Sequence, residues 1–133
     1  MKGTVHHIEI YVSDLGRTTE FWSWFLCELG YDIYQKWNEG ISYKLFDTYL
    51  VFVQTEEKYL DMGYHRKRTG LNHIAFHAES RTMVDDITQR LKEKKIKLLY
   101  DDKYPFAGGK DYYALFFEDP DRIKVELVAP NEE

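Results

Sequence analysis

The chain has 133 residues, 44% of them hydrophobic and 17% aromatic, which suits one packed domain or two very small ones sharing a core and excludes a disordered polymer. A formal net charge of -5 argues against a nucleic-acid partner, because release of counterions from a phosphate backbone needs a basic face. No run of about 18 apolar residues is present, so no membrane partner or spanning helix is expected, and Met1 to Gly3 leads straight into a strand-like segment with no signal peptide. Cys27 is the only cysteine and lies in a helical pattern; it is expected to fill the core, in a protein of the reducing cytoplasm.

In chain order, Val5 to Val12 reads as a strand with Ile8, Ile10 and Val12 on one face and His7, Glu9 and Tyr11 on the other. Ser13 or Asp14 supplies a helix N-cap. Phe21, Phe25 and Leu29, flanked by Trp22 and Leu26, then form a broad apolar helical stripe that Gly30 can terminate. Tyr31 to Trp37, Ile41 to Asp47 and Tyr49 to Gln54 read as three short strands, with Asn38-Glu39-Gly40 as a turn.

The same order returns. Asn72 to Ala78 is a strand carrying Ile74 and Phe76 on one face and His73, Ala75 and His77 on the other. Ser80 caps a second helix with Val84, Ile87 and Leu91 as its stripe, and its lysine-rich end suits the helix dipole. Ile96 to Tyr100, Tyr112 to Phe117 and Ile123 to Val128 are predicted strands, the last two joined at Asp119-Pro120-Asp121-Arg122. The segment Asp101 to Asp111 reads either as a functional loop or as a floppy hairpin.

The chain is thus predicted to be α+β: two βαβββ modules at a period of about 66 residues, forming a cupped mixed sheet with the helices on its outer face. Module 1 spans about 5–57, a connector rich in basic residues near its end spans 58–70, and module 2 spans about 71–130. His7 and His73 fall at the same internal position. Glu126 lies on the last strand, opposite in facing to Ile123, Val125 and Leu127. Two imidazoles and a carboxylate with other positions left open suit a divalent ion such as Fe, Mn, Zn or Ni. Each residue also has a plain structural reading as a satisfied strand side chain. Matching Tyr49–Gln54 to Ile123–Val128 sets Phe52 against Glu126, so an apolar side chain is expected at the fourth equivalent position.

The segments His7-Ile8-Glu9-Ile10-Tyr11-Val12-Ser13-Asp14, Asn72-His73-Ile74-Ala75-Phe76 and Tyr112-Tyr113-Ala114-Leu115-Phe116-Phe117-Glu118-Asp119-Pro120-Asp121, the last running on to Val125-Glu126-Leu127-Val128, resemble the vicinal oxygen chelate (glyoxalase/bleomycin resistance/dioxygenase) superfamily. The resemblance covers Val5 to Pro130. It implies paired modules with a metal on His7, His73 and Glu126, a small substrate bound through two neighbouring oxygens, and a homodimer. Lyase, isomerase, dioxygenase and transferase chemistries all occur among its members. Two departures stand out. Arg122 occupies a place where the family usually has Gly. Phe52, at the expected place of a fourth ligand, argues against glyoxalase I itself.

Strand alternation places further residues on the metal's face. Glu9 is a candidate general base, with a salt bridge to Lys124 as the alternative. Tyr11, Phe52, His77, Tyr112, Phe116 and Lys124 are candidate substrate contacts. A bleomycin-resistance-like protein that sequesters an aromatic, cationic ligand is the competing expectation, and a metal-free protein on the same fold is a third.

Overall fold

The computed structural model describes residues 2–131 and divides into two compact units, the first ending at Gly63 and the second beginning at Tyr64. Unit 1 runs β1 (His7–Val12), α1 (Leu15–Glu28), β2 (Asp32–Trp37), β3 (Gly40–Leu45) and β4 (Thr48–Gln54), followed by a short 3-10 helix, Glu57–Met62. Unit 2 runs β5 (His73–His77), α2 (Arg81–Glu93), β6 (Ala114–Glu118) and β7 (Lys124–Val128), with a 3-10 turn at Asp101–Lys103 before β6. The fold class is the α+β one read from the sequence, with the strands in two sheets ordered β1-β4-β3-β2 and β5-β7-β6. In each sheet the first strand pairs parallel to the last and the other pairs are antiparallel. No helix among the described residues is long and apolar enough to cross a membrane.

Both helices begin as their caps dictate. The Asp14 carboxylate accepts from the Arg17 amide at 3.1 Å, and the Ser80 hydroxyl accepts from Met83 at 3.1 Å. Gln54, at the end of β4, anchors the start of α1: its Oε1 accepts from Leu15 N and its Nε2 donates to Ser13 O. Helix α1 stops at Gly30, whose φ of +94° is a backbone state glycine adopts without strain.

In unit 1 the apolar face of the sheet packs under α1. Trp22, Phe25 and Leu26 are wholly buried, and the Trp22 ring stacks on Phe52 at 4.9 Å between centroids. In unit 2, Val84, Ile87 and Leu91 of α2 are buried, as are Leu115, Phe117, Val125 and Leu127 of the sheet. Burying each such side chain contributes about 1.5–3 kcal/mol. Cys27, expected inside, is exposed on the outer side of α1.

The strand expected over Ile96–Tyr100 is reduced to an isolated bridge, Leu98 to Phe117. Two left-handed residues bracket it, Lys95 at φ +59° and Tyr100 at φ +56°, and these break the extended run at both ends. The long loop that follows is tied down rather than floppy. The phenols of Tyr104 and Tyr113 both donate to Asp85 Oδ1 on α2, and the Arg81 guanidinium covers the Tyr113 ring at 4.7 Å.

Candidate metal centre

The strand registers decide which side chains share a face. In unit 2, His73 lies beside Lys124 and Ala75 beside Glu126, while Phe116 flanks Glu126 from the other side. His73, Ala75, His77, Ala114, Phe116, Lys124 and Glu126 therefore occupy the face opposite α2, as alternation predicted.

Glu126 is 4% exposed, a buried carboxylate that requires partners. Its Oε2 accepts from the Tyr112 phenol, and its Oε1 lies 3.3 Å from His73 Nε2. The bond to the carboxylate, with lesser help from desolvation and the carboxylate's charge, pushes the Tyr112 hydroxyl up to about 12. Tyr112, a candidate substrate contact in the sequence, thus holds Glu126 in place.

The tautomer of His73 follows from its neighbour. Asn72 Nδ2 donates to the carbonyl of Arg66 at 3.1 Å, which leaves Asn72 Oδ1 to face His73 Nδ1 at 2.7 Å. An amide oxygen only accepts, so Nδ1 is the protonated nitrogen. In the neutral ring Nε2 then carries a lone pair directed at the Glu126 carboxylate. Two lone-pair donors 3.3 Å apart call for a cation between them or beside them, either a proton or a metal ion. A histidine and a carboxylate, each held from behind by a polar partner, fit a divalent ion. The part played by Asn72 was not foreseen, although an Asn directly before the expected ligand was a visible signal.

Unit 1 offers a different setting for His7. Its Nδ1 lies 2.9 Å from His6 Nδ1, and its ring stacks on Tyr49 at 4.7 Å with the planes 4° apart. His7 pairs in register with Tyr49 and Glu9 with Val51, so Val51 takes the place in unit 1 that Glu126 takes in unit 2. The sequence match that set Phe52 there was one residue out of step. Phe52 points to the opposite face, wholly buried under Trp22, and lines no open surface. The correction preserves the chemistry expected at that position, since Val51 is no more able than phenylalanine to ligate a metal.

The remaining candidates divide. Tyr11 is 59% exposed, and Glu9 and His77 are also exposed on their strands. Phe116 is buried, with the Tyr100 ring packed edge-on against it. The Lys124 ammonium hydrogen-bonds Tyr100 at 3.1 Å and sits over the Tyr100 and Phe116 rings, all within unit 2. Among the described residues, neither unit by itself gathers three or more His, Cys, Asp or Glu side chains as a metal site.

A strand-helix-strand module repeated with a histidine on the first strand of each copy, and a buried glutamate on the last strand of the second, defines the class of fold. Residues 4–127 match the Glyoxalase/Bleomycin resistance protein/Dioxygenase superfamily, and the chain belongs to it. It is 60% identical over 127 residues to the uncharacterized protein YqjT of Bacillus subtilis, covering 96% of this chain and 99% of that one. It is 58% identical to a candidate glyoxalase of Bacillus halodurans known from its crystal structure, with a TM-score of 0.96 and 97% of each chain covered. The fosfomycin resistance protein FosX of Listeria monocytogenes, 22% identical with a TM-score of 0.70 and covering 98% of this chain and 95% of that one, shares the fold.

Proposed function

We propose that this protein is a metal-dependent enzyme acting on a small substrate that presents two neighbouring oxygens, with a divalent ion (Fe, Mn, Zn or Ni) held by His73, Glu126 and His7. The carrying observation is the His73–Glu126 pair, with Asn72 and Tyr112 orienting the two groups. His7 enters by equivalence, because it occupies in unit 1 the register position that His73 occupies in unit 2. When bound, the ion would supply Lewis-acid stabilisation of negative charge developing on a substrate oxygen. Glu9, exposed two residues from His7 on the same strand face, is the proposed proton acceptor. With Val51 at the fourth position the protein side supplies three ligands, which supports a family member other than glyoxalase I.

The test is elemental analysis of protein purified without chelator and then offered each metal in turn. One equivalent per site, lost in both His73→Ala and Glu126→Gln, is the expected result; metal at background in the wild type would end the proposal. Retention of full affinity in His7→Ala would remove that residue from the ligand set. A homodimer, the assembly implied by the family resemblance, is checked by sedimentation equilibrium.

A second reading, a ligand-sequestering protein, draws on the open aromatic surface of unit 1. Tyr34 lies 5.1 Å from Tyr49, which also stacks on His7, and Tyr11 and Trp37 are exposed. Tight binding of a cationic aromatic ligand that EDTA leaves unchanged would favour it.

A further inference from the structure

The basic connector is not absorbed by the metal centre, and neither is the unusual arginine of the β6–β7 turn. The structure brings them together. Tyr64, His65, Arg66, Lys67 and Arg122, all within unit 2, line a cavity of about 190 Å³. Both of these arginines are held by Glu118, a carboxylate buried at 6% exposure. Arg66 Nη1 donates to Glu118 Oε2 at 2.5 Å and reaches the Arg122 carbonyl at 3.4 Å; Arg122 Nε lies 3.5 Å from the same carboxylate oxygen. Glu118 therefore fixes two guanidinium groups by one edge each. A guanidinium has five N–H donors, so Nε and Nη2 of Arg66 and both Nη groups of Arg122 keep donors with no protein acceptor among the described residues.

The backbone strengthens the case. Arg122 sits at φ +67°, a left-handed state that a side-chain-bearing residue reaches only at a cost and that glycine adopts freely. The turn itself is specified by Asp119, whose Oδ1 accepts from the amides of Asp121 and Ile123, both at 2.8 Å. It would form equally well with glycine at 122. A strained arginine whose side chain lines a cavity beside a second arginine and a lysine points to a role for that side chain. The lining itself carries three cationic side chains, Arg66, Lys67 and Arg122, and no carboxylate, in a chain of net charge -5.

We propose that this cavity is a phosphate-binding site, taking inorganic phosphate or the terminal phosphate monoester of a small metabolite. Arginine forks and an ammonium converging on one volume suit a tetrahedral dianion with several acceptor oxygens better than a single carboxylate. The cavity lining includes neither His73 nor Glu126, and binding there needs no metal.

The test uses the full chain, treated with EDTA, titrated with inorganic phosphate, phenyl phosphate and acetate while amide shifts of residues 64–68 and 122 are followed by NMR. Saturable shifts are expected there, with phosphate at least about tenfold tighter than acetate, and affinity falling as sodium chloride rises. Tighter binding of phenyl phosphate than of inorganic phosphate would identify a monoester as the ligand; the reverse would identify free phosphate. Arg122→Gly, which relieves the backbone strain and leaves Arg66 on Glu118, should weaken phosphate binding about tenfold, and Lys67→Gln should weaken it by a smaller factor. Absence of saturable shifts, equal affinity for acetate, or an Arg122→Gly protein that binds phosphate as wild type does would overturn the proposal.

Discussion

Units 1 and 2 repeat an element order but place opposite chemistry at one register position. In unit 1, Val51 stands beside Glu9 on a face where His7 is stacked flat on Tyr49. In unit 2, Glu126 stands beside Ala75 on a face where His73 is hydrogen-bonded behind by Asn72 and directed at the carboxylate. The two units thus divide a labour: one keeps an oriented His–Glu pair, the other a histidine among aromatic rings. A duplicated scaffold can keep the histidine in both halves and change the residue at the Glu126 position in only one, because the helix-facing residues that hold each sheet lie on the other face.

The sharpest way to break this comparison is the register itself. Phe52→Glu would bury a carboxylate beneath Trp22 and should prevent folding, whereas Val51→Glu, also at a buried position but on the face that carries Glu126 in unit 2, should still fold, at a cost read from urea melts. If both variants unfolded equally, the assignment of Val51 to the Glu126 position would lose its support. Trp22→Ala should cost about 3–5 kcal/mol in the same measurement, since a fully buried ring stacked on Phe52 is removed.

Next in size are the groups behind the proposed ligands. Tyr112→Phe and Asn72→Ala each should weaken metal binding about 10–100-fold while leaving the melting transition within about 1–2 kcal/mol of wild type. Tyr49→Ala, behind His7, should have a smaller effect on metal affinity, because stacking orients the ring without fixing its tautomer. Competition against a metal indicator dye separates these outcomes.

The smallest expected effect lies on α2. Tyr104 is pushed far above its ordinary value by burial first and by its bond to Asp85 second. The folded protein holds that proton to higher pH than the unfolded chain does. Its stabilisation is complete below about pH 10 and is lost as pH rises toward the folded value. Tyr104→Phe should therefore cost about 1 kcal/mol at neutral pH and flatten the decline of stability between about pH 10 and 12, measured by urea unfolding across that range.

The sequence determined a good deal alone. Apolar periods of two and near four laid out both helices and most strands, the pair Ser13-Asp14 and Ser80 marked the helix starts, Gly30 marked a helix end, and recurrence of histidine at the same internal position marked the duplication. These are local signals, carried by each residue's own neighbours. Tertiary structure decided the rest. Alternation says that a strand has two faces but not which residue of its neighbour lies alongside, and a slip of one residue exchanges the faces, as it did for Phe52 and Val51. Left-handed backbone at Lys95 and Tyr100 cut short the strand expected between them. Only folding could bring Tyr112 onto Glu126 and Arg66 to Arg122 across Glu118, because those partners meet through the ladder and turns rather than through any sequence spacing.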